Sequence, residues 1–499
     1  MNSALILAID QGTSSTKTII FNTKGEVVAK ATVVLETHYL EGGFVEQDPE
    51  GIYQNVMLSV QSCLETFTAN GGKVEDIKTA GISNQRETFV VWDKNGTAIA
   101  PAVVWQCKRS IAICKDLNSD IDLVNEVKRK TGLIIDPYFS ATKLIWLLQN
   151  DEIVRHKIQS GKAFFGTVDT WLLYKLTKGA QYLTDYTNAS RTLLFNLENL
   201  DWDQELIAAM GLSGINLPDP KPSAYTFGES TFEGLFKTPL SITAMIGDSH
   251  AAAFGEGCLN PGTAKATLGT GCSVLMNIGG VPQISKSGMI TTICWSTEER
   301  VDYALEGVIV SCGSTIEWLK NELQLFGESQ ETEAMATSVL DNNGVYIIPA
   351  FSGLGAPYWD MSRKASIEGL TFDCTKNHIV RAALETIPFQ IKAVLEAMQK
   401  DTGVMIEELM VNGGITANNF VMDFLADLIQ SKVVKSRFPD VSALGASYLA
   451  SIGKGIFKDL QDVQQLLSNK ESLYSEKYKK SEEYYATWNQ LINTRISNT

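Results

Sequence analysis

One pattern occurs twice in this chain and constrains its fold more than any other: an apolar run, a small polar turn, then a second β-branched run. Ala4 to Asp10 (ALILAID) leads into Gln11 to Ser15 (QGTSS) and on to Thr16 to Phe21 (TKTIIF), which reads as a β-hairpin. A turn at Asn22 to Gly25 (NTKG) and a β-rich run to Leu35 extend it into a three-stranded meander. Gly51 to Phe67 then carries helical spacing at Ile52, Val56, Val60 and Leu64. In the second half, Thr263 to Leu268 and Ser273 to Asn277 flank Gly269 to Cys272 (GTGC) in the same order. The repeat is of pattern rather than of letters, and it predicts two α/β domains of similar topology facing each other. Gly257, Pro261 and Gly262 punctuate the junction, giving residues 1–255 and 256–499 as the expected domains. The charged, helix-prone tail from Asp459 is expected to pack on a surface.

At 499 residues the chain exceeds what a single core usually serves. Its 44% hydrophobic and 20% charged residues are ordinary for a folded globular protein. A formal net charge of −15 repels a phosphate backbone, so nucleic acid and anionic membranes are poor partners and an anionic ligand needs local donors. The eight cysteines form neither a CxxC pair nor a cluster with histidine, which suggests no zinc, no disulfide framework and a reducing cytoplasm. No apolar run reaches membrane-spanning length, and Met1 is not followed by a basic leader.

Several segments can carry chemistry. Asp10 to Lys17 (DQGTSSTK) places a carboxylate at a strand end, followed by glycine and hydroxyl side chains able to hold phosphate oxygens, with Asp10 able to bind Mg²⁺. The same letters also make an ordinary polar hairpin. The matching turn Gly269 to Ser273 shifts the balance, because two facing turns are what a phosphate chain held between two domains requires. Asn412 to Asn419 (NGGITANN) opens a helix with glycines that permit close backbone approach, or is simply a helix start capped by Asn418 or Asn419. Asp248, in IGDSH, follows an apolar strand and precedes a small-residue run, so it falls at a strand-to-helix turn. There it serves either as an N-cap or as the carboxylate that takes a proton from an attacking hydroxyl. The neighbouring His250 reads as a structural hydrogen-bonder. Arg86 and Glu87, with Trp105 and Tyr138, offer the donors, acceptor and apolar faces that fix a small polyhydroxy compound, although spacing does not show that they converge and the pattern alone favours a surface ion pair and two core aromatics.

Together these segments resemble the FGGY family of carbohydrate kinases, and within it the glycerol kinases. The match runs through DQGTSS (Asp10 to Ser15), FVEQDP (Phe44 to Pro49), NQRET (Asn84 to Thr88), VWQC (Val104 to Cys107), TGLIIDPYFS (Thr131 to Ser140), GTVDTW (Gly166 to Trp171), TDYTNASR (Thr184 to Arg191), YALEG (Tyr303 to Gly307) and PAFSGLGAPYWD (Pro349 to Asp360). The resemblance implies two actin-like, ribonuclease-H-like domains around a cleft, and ATP-dependent phosphorylation of a small polyol, most simply glycerol to glycerol 3-phosphate. It implies that Arg86, Glu87, Trp105, Tyr138 and Asp248 bind the polyol, with Asp248 as base. Thr13, Ser14, Ser15, Lys17, Thr270 and Gly271 would hold ATP phosphates, with Gly313, Gly414 and Asn418 near the base and ribose, and Asp10 on the Mg²⁺ side. A homodimer or homotetramer is compatible with it.

The departures from the family pattern lie in the pocket. Ser249 and Ser273 stand where glycerol kinases usually carry glutamine and phenylalanine, so a four- or five-carbon polyol or a ketose is the alternative substrate. Lys17 stands for a frequent arginine, Asn412 for a frequent aspartate, and the loop Gly234 to Pro239 (GLFKTP) lacks the arginine of a fructose 1,6-bisphosphate site. Pro388 predicts a kink or break in a helix over 379–398, because proline removes a backbone donor. A nucleotide-driven binding protein of the actin or chaperone type would share the clamped-ATP architecture, but it needs no polyol pocket of the kind Asn84 to Thr88 and Asp248 suggest.

Overall fold

The computed structural model describes residues 4–436, 438, 440–467 and 472–496. The first meander forms as expected, with β1 (Leu5–Gln11), β2 (Ser15–Asn22) and β3 (Val27–Val34) antiparallel in turn. Helix α1 (Pro49–Ala69), capped by the Asp48 side chain on the Glu50 N–H, packs its apolar stripe of Ile52, Val56, Val60 and Leu64 on that sheet. The chain then adds β4 (Ile77–Asn84) parallel to β1, and later β5 (Ala224–Ser230) and β6 (Leu240–Gly247). The six strands lie in the order β5-β6-β4-β1-β2-β3. Helix α2 (Asp248–Glu256) follows β6 directly.

The second half repeats this plan. Strands β7 (Thr263–Leu268), β8 (Cys272–Gly279), β9 (Ile290–Ser296) and β10 (Val301–Ile309) are joined by β11 (Glu408–Asn412), β12 (Lys432–Lys435) and β13 (Ser472–Leu473). Their order is β9-β10-β8-β7-β11-β12-β13. Within it β7 and β8 form the second hairpin and β11 runs parallel to β7, as β4 does to β1. A smaller five-stranded sheet, with strands His38–Leu40, Phe44–Gln47, Phe89–Asp93, Ala102–Val103 and Ala163–Thr167, is inserted on the first half. Its apolar core includes Phe89, Val103 and Phe139, with Trp105 and Tyr138 packed against it.

One expectation is corrected. The helix containing Pro388 runs from Lys376 to Thr402 as one 27-residue element and is not broken. Leu384, Ile387, Phe389 and Ile391 around the proline are all buried, so packing of that face outweighs the one missing donor. The tail packs against the second half of the molecule. Helix Ser481–Ile496 inserts Trp488 and Ile492 into the second core, where the Trp488 indole N–H donates to the Ile347 carbonyl at 2.9 Å. The rest of the tail, 468–471 and 497–499, lies outside the described residues.

Helix Val441–Gly453 comes late in the chain yet packs on β1, β4 and β6 of the first sheet, and it crosses α2. The crossing admits only glycine at its closest points. A Cβ on Gly445 would overlap the Ala251 carbonyl, and one on Gly255 would overlap the Val441 carbonyl. Between the two sheets these helices bury a shared core that includes Ile6, Ala244, Phe254, Leu275 and Leu449.

Candidate active site

Strand β1 ends by delivering Asp10 to a cleft between the two halves. The turn after it is closed by the Gly12 N–H donating to the Ser15 carbonyl at 3.0 Å, while the amides of Thr13 and Ser14 have no acceptor among the described residues. Ser83, opposite Asp10 in the sheet register, donates its hydroxyl to Asp10 Oδ1 at 2.7 Å. Burial pushes the Asp10 carboxyl up to about 6 against that hydrogen bond, and the nearby Asp248 adds to the rise.

The second turn mirrors the first. The Gly269 carbonyl accepts from Gly313 N–H, and the Thr270 carbonyl from Cys312 and Ser314, each at 3.0 Å. Its carbonyls are therefore tied to the start of helix Gly313–Asn321, and the Thr270 and Gly271 amides have no acceptor among the described residues. Beyond it lies a cavity of about 390 Å³, lined by Thr270, Gly313, Glu317, Glu333, Gly414 and Asn418 among others. Gly414 opens onto free space, since a Cβ there would meet no atom within 4 Å. Asn418 caps helix Asn419–Ile429, accepting from the Val421 N–H at 3.2 Å, so the helix-start reading holds at the rim of this cavity. Lys17 reaches neither cavity. It pairs with Asp440 at 3.1 Å, which also binds Lys30 at 2.6 Å.

A larger cavity of about 800 Å³ contains Asp10, Thr13, Arg86, Glu87, Trp105, Tyr138, Asp248, Ser249, Gly271 and Ser273. Residues spread over more than half the sequence thus converge on one space. Gly247 is the cap residue of α2, so Asp248 is its first helical residue and the N-cap reading of Asp248 does not hold. Arg86 Nε lies 3.4 Å from Asp248 Oδ1, and their side chains are 6% and 37% exposed, which leaves Asp248 as the member open to a ligand. Trp105 and Tyr138 meet edge to face at 5.6 Å between ring centroids and form an apolar wall.

Two residues that sequence reasoning did not single out hold Arg86 and Glu87. Glu306 on β10 accepts from Arg86 Nη2 at 3.1 Å and lies 2.9 Å from Arg191 Nη1. Arg191 in turn donates to Glu87 at 2.6 Å. All four side chains are at least nine-tenths buried. Burial opposes ionisation of Glu306, but the two guanidinium groups outweigh it and hold the carboxyl well below its usual range. Burial pushes Glu87 up against the pull of Arg191 and Arg86. Glu87 also adopts φ 59°, a left-handed conformation that a non-glycine residue keeps only where its surroundings impose it. Burial and the nearby Arg86 lower His250 well below its ordinary value, leaving a neutral structural imidazole.

A second missed feature lies under the first turn. Gln11, Gln47 and Gln85 come from three separate motifs and are all buried. Gln85 Nε2 donates to Gln11 Oε1 at 3.2 Å and to Gln47 Oε1 at 2.9 Å, and Gln47 donates to the Thr13 carbonyl at 2.7 Å. A glutamine inside an otherwise strand-like motif was the available signal.

The model of the FGGY family of carbohydrate kinases, N-terminal domain, matches residues 5–255, and that of the C-terminal domain matches residues 264–453. Glycerol kinase of Carboxydothermus hydrogenoformans is 44% identical over 464 residues, covering 93% of this chain and 92% of that protein. Glycerol kinase 2 of Thermotoga maritima is 42% identical over 493 residues, covering 98% of each. The crystal structure of Plasmodium falciparum glycerol kinase with ADP superposes with a TM-score of 0.93 at 34% identity, covering 99% of this chain and 98% of that one. The two-domain architecture is the actin-like α/β fold.

Proposed function

Because this chain belongs to the FGGY family of carbohydrate kinases, we propose that it transfers the γ-phosphoryl group of ATP to glycerol, giving glycerol 3-phosphate. The observation that carries this reading is the cavity in which Asp248, beside Arg86, faces two turns whose amides at Thr13, Ser14, Thr270 and Gly271 have no acceptor among the described residues. Glycerol lies against the Trp105 and Tyr138 wall, and Arg86 and Glu87, fixed by Glu306 and Arg191, engage its hydroxyls. Asp248 accepts the proton of the attacking hydroxyl, whose oxygen forms the new bond to phosphorus as the bond to ADP breaks. Thr13, Ser14 and Ser15 on one turn and Thr270 and Gly271 on the other hold the phosphates. Gly313, Gly414 and Asn418 form the rim for base and ribose. Lys17 bears on the phosphates only through the turn it anchors to Asp440.

Asp10 fits a Mg²⁺ site. It is a carboxylate in the same cavity as Asp248, and burial first, with that like charge added, raises its pKa, which a cation would relieve. Among the described residues no group of three ligating side chains occurs, in keeping with an ion that takes most of its ligands from phosphate and water. Mg²⁺ there would neutralise phosphate charge. Residues 1–255 act as the polyol-side unit and 256–499 as the nucleotide-side unit. The eight cysteines, with neither a CxxC pair nor a cluster with histidine, accord with a cytoplasmic location, and no helix among the described residues is long and apolar enough to cross a membrane. The assembly we favour is a homodimer or homotetramer.

An ATP-consumption assay over three- to six-carbon polyols and ketoses, with the product identified by phosphorus NMR, tests the assignment. Glycerol is expected to give the highest kcat/KM, and no turnover of glycerol would sink it. A longer polyol or ketose is the second reading, favoured by the small side chains of Ser249 and Ser273 on the wall of the 800 Å³ cavity.

A further inference from the structure

Lys265 lies on β7, just before the second turn, and is 2% exposed. Ala264, Ala266 and Leu268 of the same strand face the second core, so Lys265 and Thr267 take the opposite face, where both line the catalytic cavity with Asp10, Asp248 and Asn412. Its Nζ donates to the Thr267 hydroxyl at 3.1 Å and, among the described residues, forms no ion pair.

Other buried lysines in this chain are satisfied. Lys130 pairs with Asp203 and Glu205, and Lys143 donates to the carbonyls of Pro137, Tyr138 and Phe139. The remaining cations around the site are engaged too: Arg86 by Glu306 and Asp248, Arg191 by Glu87 and Glu306, Lys17 by Asp440. Among the described residues, Arg86 and Lys265 are the only cations lining the cavity. A buried ammonium with one neutral partner is costly unless an anion completes it. The anion has to come from a ligand, and the neighbouring free amides of Thr270 and Gly271 select a phosphate.

We propose that Lys265 is a further catalytic residue, its ammonium binding the γ-phosphoryl group of ATP and stabilising the charge on its oxygens during transfer. The proposal rests on the reading of the chain as an ATP-dependent kinase. The oxygen–phosphorus bond to the polyol forms as the bond to ADP breaks, the hydroxyl proton goes to Asp248, and Lys265 keeps its proton throughout.

The test uses the full chain with Lys265→Met and Lys265→Arg, following kcat, KM for glycerol, and binding of ADP and of the imido analogue of ATP by calorimetry. Lys265→Met is expected to lower kcat by about 10²-fold or more, as removal of a transition-state donor does, with KM for glycerol changed less than threefold. Its affinity for the analogue should fall at least fivefold more than its affinity for ADP, and Lys265→Arg should recover part of kcat. A kcat within threefold of wild type, or equal losses for analogue and ADP, overturns the proposal. If Lys265→Met does not fold, Thr267→Val, which removes the hydroxyl holding the ammonium, is read by the same split between analogue and ADP, and equal losses again overturn it. Failure of the wild-type chain to bind the analogue would instead sink the kinase reading itself.

Discussion

The indole N–H of Trp105 donates to the Thr13 hydroxyl at 2.9 Å, so one side chain of the polyol wall is bonded to the turn on the phosphate side. Thr13 donates in turn to Gln85 Oε1 at 3.3 Å, and Thr88 reaches the same oxygen at 2.9 Å while accepting from the Trp105 backbone N–H. Trp105→Phe keeps an aromatic face against Tyr138 and deletes the donor. The lost hydrogen bond is worth about 1 kcal/mol, so KM for both ATP and glycerol should rise roughly fivefold. Steady-state kinetics with each substrate varied will read this, and a rise for glycerol alone would mean that the bond does not couple the two subsites.

Replacing Asp248 by Asn keeps shape and removes the proton acceptor. General-base loss typically costs about 10²–10⁴-fold, so kcat should fall by that order while calorimetry finds ADP affinity nearly unchanged. An active variant would take the base role from Asp248.

Glu306 lies between two buried guanidinium groups, and Glu306→Gln leaves both without their shared anion. Breaking a buried pair from one side costs about 3–5 kcal/mol. Urea unfolding should show a loss of that order, accompanied by a higher KM for glycerol because Arg86 is no longer fixed. Wild-type stability in this variant would show that the network is not what holds Arg86.

Asp10 carries a folded-state pKa near 6 against an ordinary value of 3.8. A carboxyl raised in this way binds more protons folded than unfolded between those values, so its burial destabilises the metal-free protein increasingly as pH rises from about 4 to 6, and fully above that. Asp10→Asn should therefore be more stable than wild type at pH 8 by on the order of 1–3 kcal/mol, allowing for its partial exposure. The gap should close near pH 4, and activity should drop at every pH. Thermal unfolding of both proteins in EDTA at the two pH values checks the sign.

Restoring bulk with Ser249→Gln and Ser273→Phe should raise kcat/KM for glycerol relative to erythritol or xylitol by about tenfold, the scale on which filling one pocket discriminates by a methylene or two. An unchanged ratio would mean that these two serines do not set specificity.

Much of the site was legible because its pieces sit at strand ends and turns, where local letters report backbone geometry. Asp10, Thr13, Asp248, Thr270 and Gly271 are all of this kind. Side-chain partnerships across long separations were not legible. Nothing near Arg86 announces Glu306, 220 positions later, and nothing near Lys17 announces Asp440, which draws it away from the cavity. Pro388 misled for a related reason, since local propensity cannot weigh the burial of Leu384, Ile387 and Phe389 around it. The meander repeat, by contrast, was readable because short apolar and β-branched runs broken by small polar turns mark buried strands and their hairpins in local letters.

The helix Val441–Gly453 that lies on the first sheet has a consequence for how the protein is made. The strands it covers are translated in the first 250 residues, but the surface under it stays bare until residue 453 has left the ribosome. A nascent chain released after residue 255 would expose Ala244, Ile246 and Phe254 to water, so the face begun first is covered only once the strands of the second sheet up to Lys435 have been made.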